Sequence, residues 1–290
     1  SGVLHVGHML TANKLIDLQE AGFAVVALLA DVHAYLNDKG TFAEIRETAE
    51  TMKDQFIAYG LNEAQTEFVL GSEYQLDEEY TLDLHALELE TTLSRAQRSM
   101  AEIQRGDHAK VSQMVYPLMQ ALDIEYLDVD LAVGGLDQRK VHMLARETLP
   151  ELDYAVRPAL HTPIIADLSS GVGKMASSSG VTISMEDTTA DIETKINDAY
   201  CPPTADPEPD DEGNDRENPV LQLFQYHVFP RVDSVVVERP EEYGGDLEYD
   251  EYATLEADLE GGDLHPMDAK GALAAELDAL IDPGRQQLDD

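Results

Sequence analysis

The strongest constraint on the fold is an alternation between short apolar runs and segments with helical spacing. The run FAVVALLAD, from Phe23 to Asp31, is almost continuously apolar, which is typical of a strand buried on both faces of a parallel sheet. The segments TEFVLGSE and VDLAVGG, the latter from Val129 to Gly135, predict two further strands. The alternation therefore predicts an α/β protein with a parallel sheet, and such sheets bind ligands at the carboxyl ends of their strands.

Helical segments separate these strands. The segment MLTANKLIDLQEAG begins at Met9 and stops at Gly22, a residue suited to the position just past a helix end. Thr41 followed by Glu44 is a capping-box pattern, and apolar residues then recur at helical steps as far as Gly60. Both segments are expected to be helices that pack on the sheet.

The composition changes along the chain, which predicts separate regions. A long helical stretch interrupts the alternation and is expected to be an insertion over about 81–122, inside a first domain of residues 1–200. The stretch PPTADPEPDDEGNDRENP then predicts an acidic, solvated linker or surface loop over residues 201–218. Residues 219–290 contain mainly helical patterns and a short VVVER strand, which predicts a second, mostly helical domain.

The charge balance is extreme. The 290 residues include 58 acids and 19 bases, for a net charge of −39. The acids lie on periodic segments as well as in loops, which favours a hydrated acidic surface over an acidic tail that binds a partner. At about 1 M salt the Debye length is only about 3 Å, so the self-repulsion of such a surface is screened. We interpret the charge as the signature of a halophile's cytosol and not as a functional signal.

Cysteine usage and hydropathy exclude several classes of protein. Cys201 is the only cysteine, which excludes an intrachain disulfide framework and a cysteine-based zinc site. No apolar run approaches the roughly 20 residues of a membrane span, and no signal-peptide pattern is visible. We expect a soluble, cytoplasmic protein with no membrane partner.

Two short motifs have the chemistry of a phosphate site. In HVGH, His5 and His8 flank Gly7 at the entrance to the first predicted helix, where free N–H groups and the helix dipole suit an anion. In GVGKMASSSG, from residues 171 to 180, Lys174 supplies a mobile positive charge and the serines supply hydroxyl donors. For the first motif taken alone the alternative is chance, and for the second an exposed flexible loop is an equal alternative.

A third pattern lies between these motifs. Tyr116, Gln120 and Asp123 are spaced i, i+4, i+7 and so share one helical face, although Pro117 predicts that this helix is short or kinked. Buried polar groups need partners, so a polar face turned towards the sheet indicates a ligand site. The alternative is an ordinary amphipathic helix with a wet side.

Taken together, the motifs resemble a known family. HVGH and KMASS, in this order and about 165 residues apart, resemble the two ATP motifs of class I aminoacyl-tRNA synthetases. The stretch VYPLMQALDIEYLDVDLAVGGLDQRKVHMLARE closely resembles the tyrosyl-tRNA synthetases of the archaeal and eukaryotic type. So do LLADVHAYLNDKG, GSEYQLDEEYTLDL, RPEEYGGDL and LHPMDAKGALAAEL. The resemblance covers nearly all of the chain except the acidic loop around 203–218.

The resemblance implies a fold, an activity and a set of partners. It implies a Rossmann-like catalytic domain with a helical insertion over residues 1–200, followed by a helical anticodon-binding domain over residues 219–290. It implies ATP-dependent activation of L-tyrosine and transfer of the tyrosyl group to tRNA(Tyr), by a homodimer. Mg²⁺ would accompany ATP as part of the substrate, with no metal held by the protein itself.

The resemblance also implies roles for individual residues. The ATP phosphates are assigned to His5, Gly7, His8, Lys174, Met175, Ser177 and Ser178. The tyrosine phenol is assigned to Asp123, the ammonium group to Tyr116, Gln120 and Gln138, and the pocket lining to His33. The ribose is assigned to Gly135 and Asp137, and the first base pair of the tRNA acceptor stem to Arg139 and Lys140. The first anticodon base is assigned to Tyr243, His265 and Asp268. For His33 a packed core histidine is an equal alternative, and for Arg139 and Lys140 the alternative is a surface ion pair.

Three departures from the family pattern affect these expectations. Relatives carry an upstream strand whose tyrosine shares recognition of the phenol, so the start of this sequence indicates either a late gene start or a fragment. The loop reads KMASSSG where relatives carry KMSSS and a lysine, so Ala176 lacks a hydroxyl and Ser179 lacks a charge. The net charge of −39 opposes binding of a polyanion, so tRNA contacts depend on local patches or on screening by salt.

The sequence leaves alternatives to this function. A tryptophanyl-tRNA synthetase of the same fold is the nearest, although an indole does not need the acceptor that Asp123 offers to a phenol. Small HxGH nucleotidyltransferases lack the last 70 residues with their HPMD stretch. A truncated, inactive synthetase-like chain that dimerises through the helical insertion is the non-enzymatic alternative.

Overall fold

The computed structural model describes residues 2–100, 110–175 and 181–289. Helices and strands alternate through the first half of the chain, and helices dominate the second half. The helices are α1 Val6–Glu20, α2 Asp31–Leu36, α3 Phe42–Ala58, α4 Glu78–Glu90, α5 Leu93–Ser99, α6 Val111–Tyr126, α7 Arg139–Thr148, α8 Thr189–Asn197, α9 Pro219–Leu223, α10 Tyr252–Gly261 and α11 Pro266–Asp289. The strands are β1 Val25–Leu29, β2 Thr66–Leu70, β3 Ala132–Gly135, β4 Ala159–Thr162, β5 Val235–Val237 and β6 Leu247–Tyr249.

The sheet pairs confirm the predicted parallel α/β class. β1 pairs with β2 in parallel from Val25 opposite Thr66, and β3 pairs with β4 in parallel from Ala132 opposite Ala159. β5 and β6 form an antiparallel pair. Among the described residues the hydrogen-bonded strands form three separate pairs and not one continuous sheet. The sequence patterns did not predict β4.

The first predicted strand is shorter than its apolar run. Phe23 donates its backbone N–H to Leu18 O at 3.0 Å, and Gly22 adopts a φ of 92° that favours glycine. These contacts belong to the turn that ends α1, so Phe23 lies in the turn and β1 begins at Val25. Phe23 is consequently exposed, whereas the run predicted that it is buried.

The helix that carries HVGH begins earlier than expected. We expected a loop up to Met9, but α1 starts at Val6 and the side chain of His5 caps it by accepting the N–H of Gly7. His8 therefore lies in the first turn and not in a loop before the helix. The imidazole of His5 provides the acceptor that a polar cap residue normally supplies, which is why the histidine motif itself starts the helix.

Of the other helix predictions, one is confirmed and one is wrong. Thr41 and Glu44 form the predicted capping box, in which Thr41 N donates to Glu44 Oε2 at 2.8 Å. The expectation of a short helix at Pro117 is wrong, because α6 runs for 16 residues and continues to Tyr126. Tertiary packing outweighs the lost hydrogen bond at Pro117, since the helix buries Leu118, Met119, Ala121 and Leu122 beyond it.

Two hydrophobic clusters stabilise the fold. One joins the start of the chain, including Leu4 and Met9, to α8, α9 and α11 through residues such as Phe224 and Leu273. The other lies among α4, α6 and α7 and includes Tyr80 and Leu122. The first cluster packs the C-terminal helices directly against α1.

The acidic stretch before α9 is attached at its C-terminal end. Glu217 N donates to Gly171 O at 2.9 Å, and Val172 and Arg216 form an isolated antiparallel bridge. Asn218 then caps α9 by accepting the N–H groups of two following residues. These contacts hold the stretch beside the segment that carries Lys174. The division into domains at 200 and 219 stays a prediction.

None of the helices in the part of the chain that the structure describes is both long enough and apolar enough to cross a membrane.

Candidate functional site

The HVGH motif contacts the segment that follows the KMASS motif. His5 forms an antiparallel bridge with Ser184, and Val6 N donates to Ile183 O at 2.9 Å. Met185 N donates to Leu4 O at the same distance. These bonds join HVGH to the segment that follows the KMASS motif. Ser177 and Ser178, together with Ala176 and Ser179, lie outside the described residues.

The HVGH motif forms a compact pair of imidazoles at the start of α1. The ring centroids of His5 and His8 lie 3.9 Å apart with the planes tilted by 30°. A side chain on Gly7 would place a Cβ 2.9 Å from His5 Cε1, so glycine is the residue that this approach allows. The motif thus places two imidazole rings at the positive end of the α1 dipole, which suits an anion.

The electrostatics of the pair favour neutral imidazoles. Burial, followed by the neighbouring His5, lowers the pKa of His8 to about 3. Burial is also the main cause that lowers the pKa of His5. His8 Nδ1 is buried and has no hydrogen-bond partner among the described residues. A neutral ring still donates one hydrogen bond, so the pair can contact phosphoryl oxygens without carrying charge.

The lysine of the second motif reaches the end of β3. Lys174 Nζ lies 2.7 Å from Asp137 Oδ2, and the adjacent Met175 is buried and donates its N–H to Ile165 O at 2.8 Å. A Cβ at Gly135 would lie 2.6 Å from Asp137 Oδ1, so a side chain there would displace the carboxylate. The structure therefore brings Lys174, Gly135 and Asp137 together, as a nucleotide site at a strand's carboxyl end requires.

Asp123 lies at the centre of a buried polar cluster on α6. Its exposed fraction is 3%, and Oδ1 accepts from Tyr74 Oη at 2.9 Å, Gln75 Nε2 at 2.7 Å and Tyr80 Oη at 2.9 Å. Burial raises the pKa of Asp123, and His33 and the three donors oppose that rise. Oδ2 has no hydrogen-bond partner among the described residues, so one oxygen of this carboxylate is free to accept.

The other residues assigned to the tyrosine pocket form two sets of contacts, one beside this carboxylate and one at Gln120 on the same helix. The His33 ring packs edge-on against Tyr116 with centroids 4.6 Å apart, and His33 Nε2 lies 3.5 Å from Asp123 Oδ2. Gln120 Nε2 donates to Gln138 Oε1 at 3.0 Å, so α6 and the start of α7 meet here. Burial raises the pKa of Tyr116 to about 12, which keeps its phenol protonated. These contacts bring together the five residues that the resemblance assigned to tyrosine.

Sequence reasoning missed three residues of this cluster. Tyr74, Gln75 and Tyr80 provide all three hydrogen bonds to Asp123 Oδ1, yet no role was assigned to them. Burial and the charge of Asp123 raise the pKa of both phenols, so they remain donors. The available signal was position, because Tyr74 and Gln75 follow β2, where the carboxyl end of a parallel strand meets the ligand edge.

The residues assigned to tRNA lie at two places. Arg139 and Lys140 begin α7, with Arg139 exposed and Lys140 partly buried. Tyr243 is 68% exposed, and His265 and Asp268 lie at the start of α11, where His265 is also exposed. Arg239 links the loop that follows Tyr243 to the segment just before α11. Its guanidinium donates to Gly245 O and to Asp263 O at 3.0 Å each.

Comparison with known proteins identifies relatives along the whole chain. The family model described as tRNA synthetases class I (W and Y) matches residues 1–282. The Tyrosine--tRNA ligase of Halorubrum lacusprofundi is 75% identical over 99% of this chain and 88% of its own length. The Tyrosine--tRNA ligase of Halobacterium salinarum is 71% identical over 99% of this chain and 86% of its own length.

A solved structure is similar at the level of the fold as well as the sequence. The crystal structure of tyrosyl-tRNA synthetase complexed with L-tyrosine from Archaeoglobus fulgidus aligns with a TM-score of 0.91 and 52% identity. The alignment covers 99% of this chain and 87% of that chain.

Proposed function

Because this chain belongs to the class I tRNA synthetases of the tryptophan and tyrosine group, we infer that it is a tyrosine–tRNA ligase. The geometric observation that carries the choice of tyrosine is the buried Asp123 carboxylate, whose Oδ2 has no partner among the described residues. A phenol O–H donates to such an acceptor. An indole and a phenyl ring bring no hydroxyl to it.

The reaction has two steps. In the first, the carboxylate of tyrosine attacks the α-phosphorus of ATP, a new O–P bond forms, and pyrophosphate leaves with the electrons of the broken P–O bond. In the second, a terminal ribose hydroxyl of tRNA(Tyr) attacks the tyrosyl carbonyl, loses its proton, and AMP leaves. Both steps need aligned reactants and stabilised negative charge, and no side chain here is needed as a covalent nucleophile.

The nucleotide subsite is formed by the two motifs and the end of β3. His5 and His8, with Gly7 allowing close approach, donate to phosphoryl oxygens at the N-terminus of α1. Asp137 accepts the ribose hydroxyls beside Gly135. Lys174, which pairs with Asp137 here, turns to the triphosphate when ATP binds. Met175, Ser177 and Ser178 belong to the same loop.

The amino-acid subsite is formed around Asp123 on α6. Asp123 Oδ2 accepts the phenol hydrogen bond, and His33 lines the same end of the pocket. Tyr116, Gln120 and Gln138 receive the ammonium group with their oxygen atoms. The Gln120–Gln138 hydrogen bond of 3.0 Å supports this role, because it holds two amides from different helices at one place.

Mg²⁺ enters with ATP as part of the substrate. Mg²⁺ usually keeps several waters and binds through substrate phosphates, so a role that needs no dedicated protein cage fits its chemistry. It supplies charge neutralisation on the phosphates, while Lys174 and the histidine pair orient them.

The tRNA contacts follow from the exposed residues. Arg139 and Lys140 at the start of α7 contact the acceptor stem near the ATP subsite, and Tyr243, His265 and Asp268 bind the first anticodon base. An exposed aromatic ring, an imidazole and a carboxylate suit an unstacked base. Because charged tRNA serves translation, we place the reaction in the cytoplasm.

The enzyme is a homodimer in this account, through the helical insertion. Leu82 and Leu89 lie seven residues apart on one face of α4 and are 62% and 86% exposed, and Leu93 at the start of α5 is 63% exposed. The opposite face of α4 buries Tyr80 and Leu87 in the core. A helix with one apolar face in the core and a second apolar face in solvent is typical of a subunit interface.

The test is charging of tRNA(Tyr) transcript with labelled tyrosine or tryptophan in molar KCl with Mg²⁺ and ATP. The salt matters because the net charge of −39 repels tRNA in dilute buffer. Charging with tyrosine alone supports a tyrosine–tRNA ligase, whereas charging with tryptophan supports a tryptophanyl-tRNA synthetase instead. If neither amino acid is charged, the proposed ligase function is contradicted.

A further inference from the structure

The acidic stretch before α9 is closed at its base by a buried amide. Asn218 is 2% exposed, and its Nδ2 donates to Pro202 O at 2.9 Å and to Thr204 O at 3.2 Å. Both acceptors lie at the start of the stretch, so one side chain holds its two ends together. Leaving a buried amide unpaired is costly, which gives these ends a fixed position.

The end of the stretch contacts the segment that leads to Lys174. Glu217 N donates to Gly171 O at 2.9 Å, beside the bridge between Val172 and Arg216. Gly171 has a φ of 72°, and a Cβ there would lie 2.4 Å from Glu217 O. The close approach of the two backbones therefore depends on this glycine.

One aromatic ring links the acidic stretch to the same glycine. The guanidinium carbon of Arg216 lies 5.2 Å from the centroid of the Tyr200 ring. Tyr200 is itself held in place, since its N–H donates to Leu168 O at 2.7 Å. A Cβ on Gly171 would lie 2.7 Å from Tyr200 Cδ1, so the ring also packs against that glycine. The ring thus contacts both the side chain of Arg216 and the backbone of Gly171.

Arg216 is the residue of the stretch suited to this contact. It is the only base among the seven acids of residues 201–218. The face of an aromatic ring attracts a cation and repels a carboxylate, so the acids of the stretch cannot replace it. The attraction acts at contact distance and therefore persists in concentrated salt, which screens interactions over longer distances.

The backbone is held on both sides of Lys174. Gly171 lies three residues before it, and Met175, directly after it, donates its N–H to Ile165 O at 2.8 Å. From this backbone Lys174 Nζ reaches Asp137 Oδ2 at 2.7 Å. Because only two residues separate Lys174 from Gly171, the position of the lysine depends on where that glycine is held.

We propose that Arg216 is a positioning residue for ATP: it holds the acidic stretch against Tyr200 and so fixes the backbone from which Lys174 reaches the triphosphate. Arg216 acts through Lys174 and not on ATP itself. This inference rests on the proposed function, because it needs a lysine that binds ATP. It assigns a role to the part of the chain that the family resemblance leaves out.

The experiment is a double-mutant cycle in ATP–pyrophosphate exchange with tyrosine in molar KCl, using Arg216→Ala, Lys174→Ala and the two together. Arg216→Ala is expected to lower kcat/KM for ATP by about 2–5-fold and to leave the KM for tyrosine unchanged. This factor corresponds to the roughly 0.5–1 kcal/mol of a cation over an exposed ring. In the Lys174→Ala background the same substitution is expected to have no further effect, because the group that it positions is absent.

Two further variants separate positioning from a general effect. Arg216→Lys keeps a cation for the Tyr200 ring and is expected to restore most of kcat/KM for ATP. Lys53→Ala is the matched control, because Lys53 Nζ lies 5.5 Å from the centroid of the Phe68 ring and joins α3 to β2. Loss of that cation–ring contact should leave kcat/KM for ATP unchanged.

The outcomes separate this inference from the proposed function. If wild type is active and Arg216→Ala lowers kcat/KM for ATP equally with and without Lys174, the inference is overturned, and so it is if Arg216→Ala matches wild type. If wild type exchanges with no amino acid, the proposed function itself fails. Hydrogen exchange gives a second readout that needs no activity. The amide of Glu217 is expected to exchange faster in Arg216→Ala than in wild type, and an equal rate overturns the inference.

Discussion

Lys174 Nζ and Asp137 Oδ2 form an ion pair 2.7 Å long between the KMASS loop and the end of β3. The side chains are 31% and 18% exposed, so the pair is only partly solvated. In the proposed reaction the lysine contacts the triphosphate and the aspartate contacts the ribose. In this proposal the two groups neutralise each other before ATP binds, and bound ATP replaces their contact with one contact to each group.

The ion pair predicts opposite effects of one substitution on two ligands. Lys174→Ala removes the competitor for Asp137, so adenosine is expected to bind about 2–5-fold more tightly, the range for a partly exposed ion pair of up to about 1 kcal/mol. ATP is expected to bind more weakly, because its phosphates lose the lysine. Calorimetric titration with each ligand measures both. Lys14→Ala, which breaks the surface pair with Asp17, is the control. Unchanged adenosine binding in Lys174→Ala contradicts the competition.

Asp123→Asn tests the acceptor of the phenol. The amide keeps an oxygen for Tyr74 and Tyr80 but turns an N–H₂ donor towards the substrate, so kcat/KM for tyrosine in pyrophosphate exchange is expected to fall by about 10–100-fold, the loss typical of a hydrogen bond to a charged group. Asp83→Asn is the matched control, because Asp83 also accepts from two tyrosine hydroxyls, those of Tyr126 and Tyr154. A similar loss in both variants would show a general effect on folding.

Buried neutral histidines predict how stability depends on pH. His142 contacts His161 Nε2 through Nδ1 at 2.9 Å, and burial followed by the charge of His161 lowers its pKa from 6.5 to about 4. The unfolded state binds more protons between these values, so the contribution of His142 is complete above pH 6.5 and lost as the pH falls towards 4. The shift corresponds to roughly 3 kcal/mol.

Denaturant unfolding across this pH range in constant molar KCl measures the effect. In His142→Asn the free energy of unfolding is expected to fall less steeply below pH 6.5, because unfolding takes up about one proton fewer. His265→Asn, at an exposed histidine, serves as the control. A slope in His142→Asn equal to that of wild type would contradict the burial of a neutral imidazole.

The exposed leucines of α4 predict an effect on assembly. Leu82→Glu combined with Leu89→Glu places charge on the face that the proposed dimer buries, and each leucine loses roughly 1.5–3 kcal/mol of burial in each subunit. Sedimentation equilibrium is expected to show a dimer for wild type and a monomer for the double variant. Val236→Glu alters an exposed apolar residue on β5 and should leave the mass unchanged. A double variant that stays dimeric would show that the subunit interface lies elsewhere.

Local patterns predicted the parts of the fold that depend on neighbours in sequence. The apolar runs gave β1, β2 and β3, and the Thr41–Glu44 box marked the start of α3, because strand burial and helix capping act over a few residues. The i, i+4, i+7 spacing placed Tyr116, Gln120 and Asp123 together for the same reason. The short strand β4 was not predicted, because a strand of four residues shows too little hydrophobic pattern.

The spacing of residues along the sequence does not predict contacts between distant segments. Gln75, after β2, and Tyr80, on α4, reach Asp123 from more than 40 residues away, and only tertiary packing brings them there. The ion pair of Lys174 with Asp137 likewise joins positions 37 residues apart. For His33 the sequence left two alternatives, a pocket residue or a core histidine. The structure shows it buried and also beside Asp123 Oδ2.

In the proposed enzyme, a buried carboxylate selects the hydroxyl of tyrosine. The most direct measurement is ATP–pyrophosphate exchange by the wild-type protein in molar KCl, with tyrosine, phenylalanine, tryptophan or no amino acid. A site built to bond a substrate hydroxyl discriminates by roughly 10⁴–10⁵, so exchange with tyrosine should exceed exchange with phenylalanine by a factor of that order in kcat/KM. A ratio below about 10 would mean that Asp123 Oδ2 does not receive the phenol, and would contradict the account.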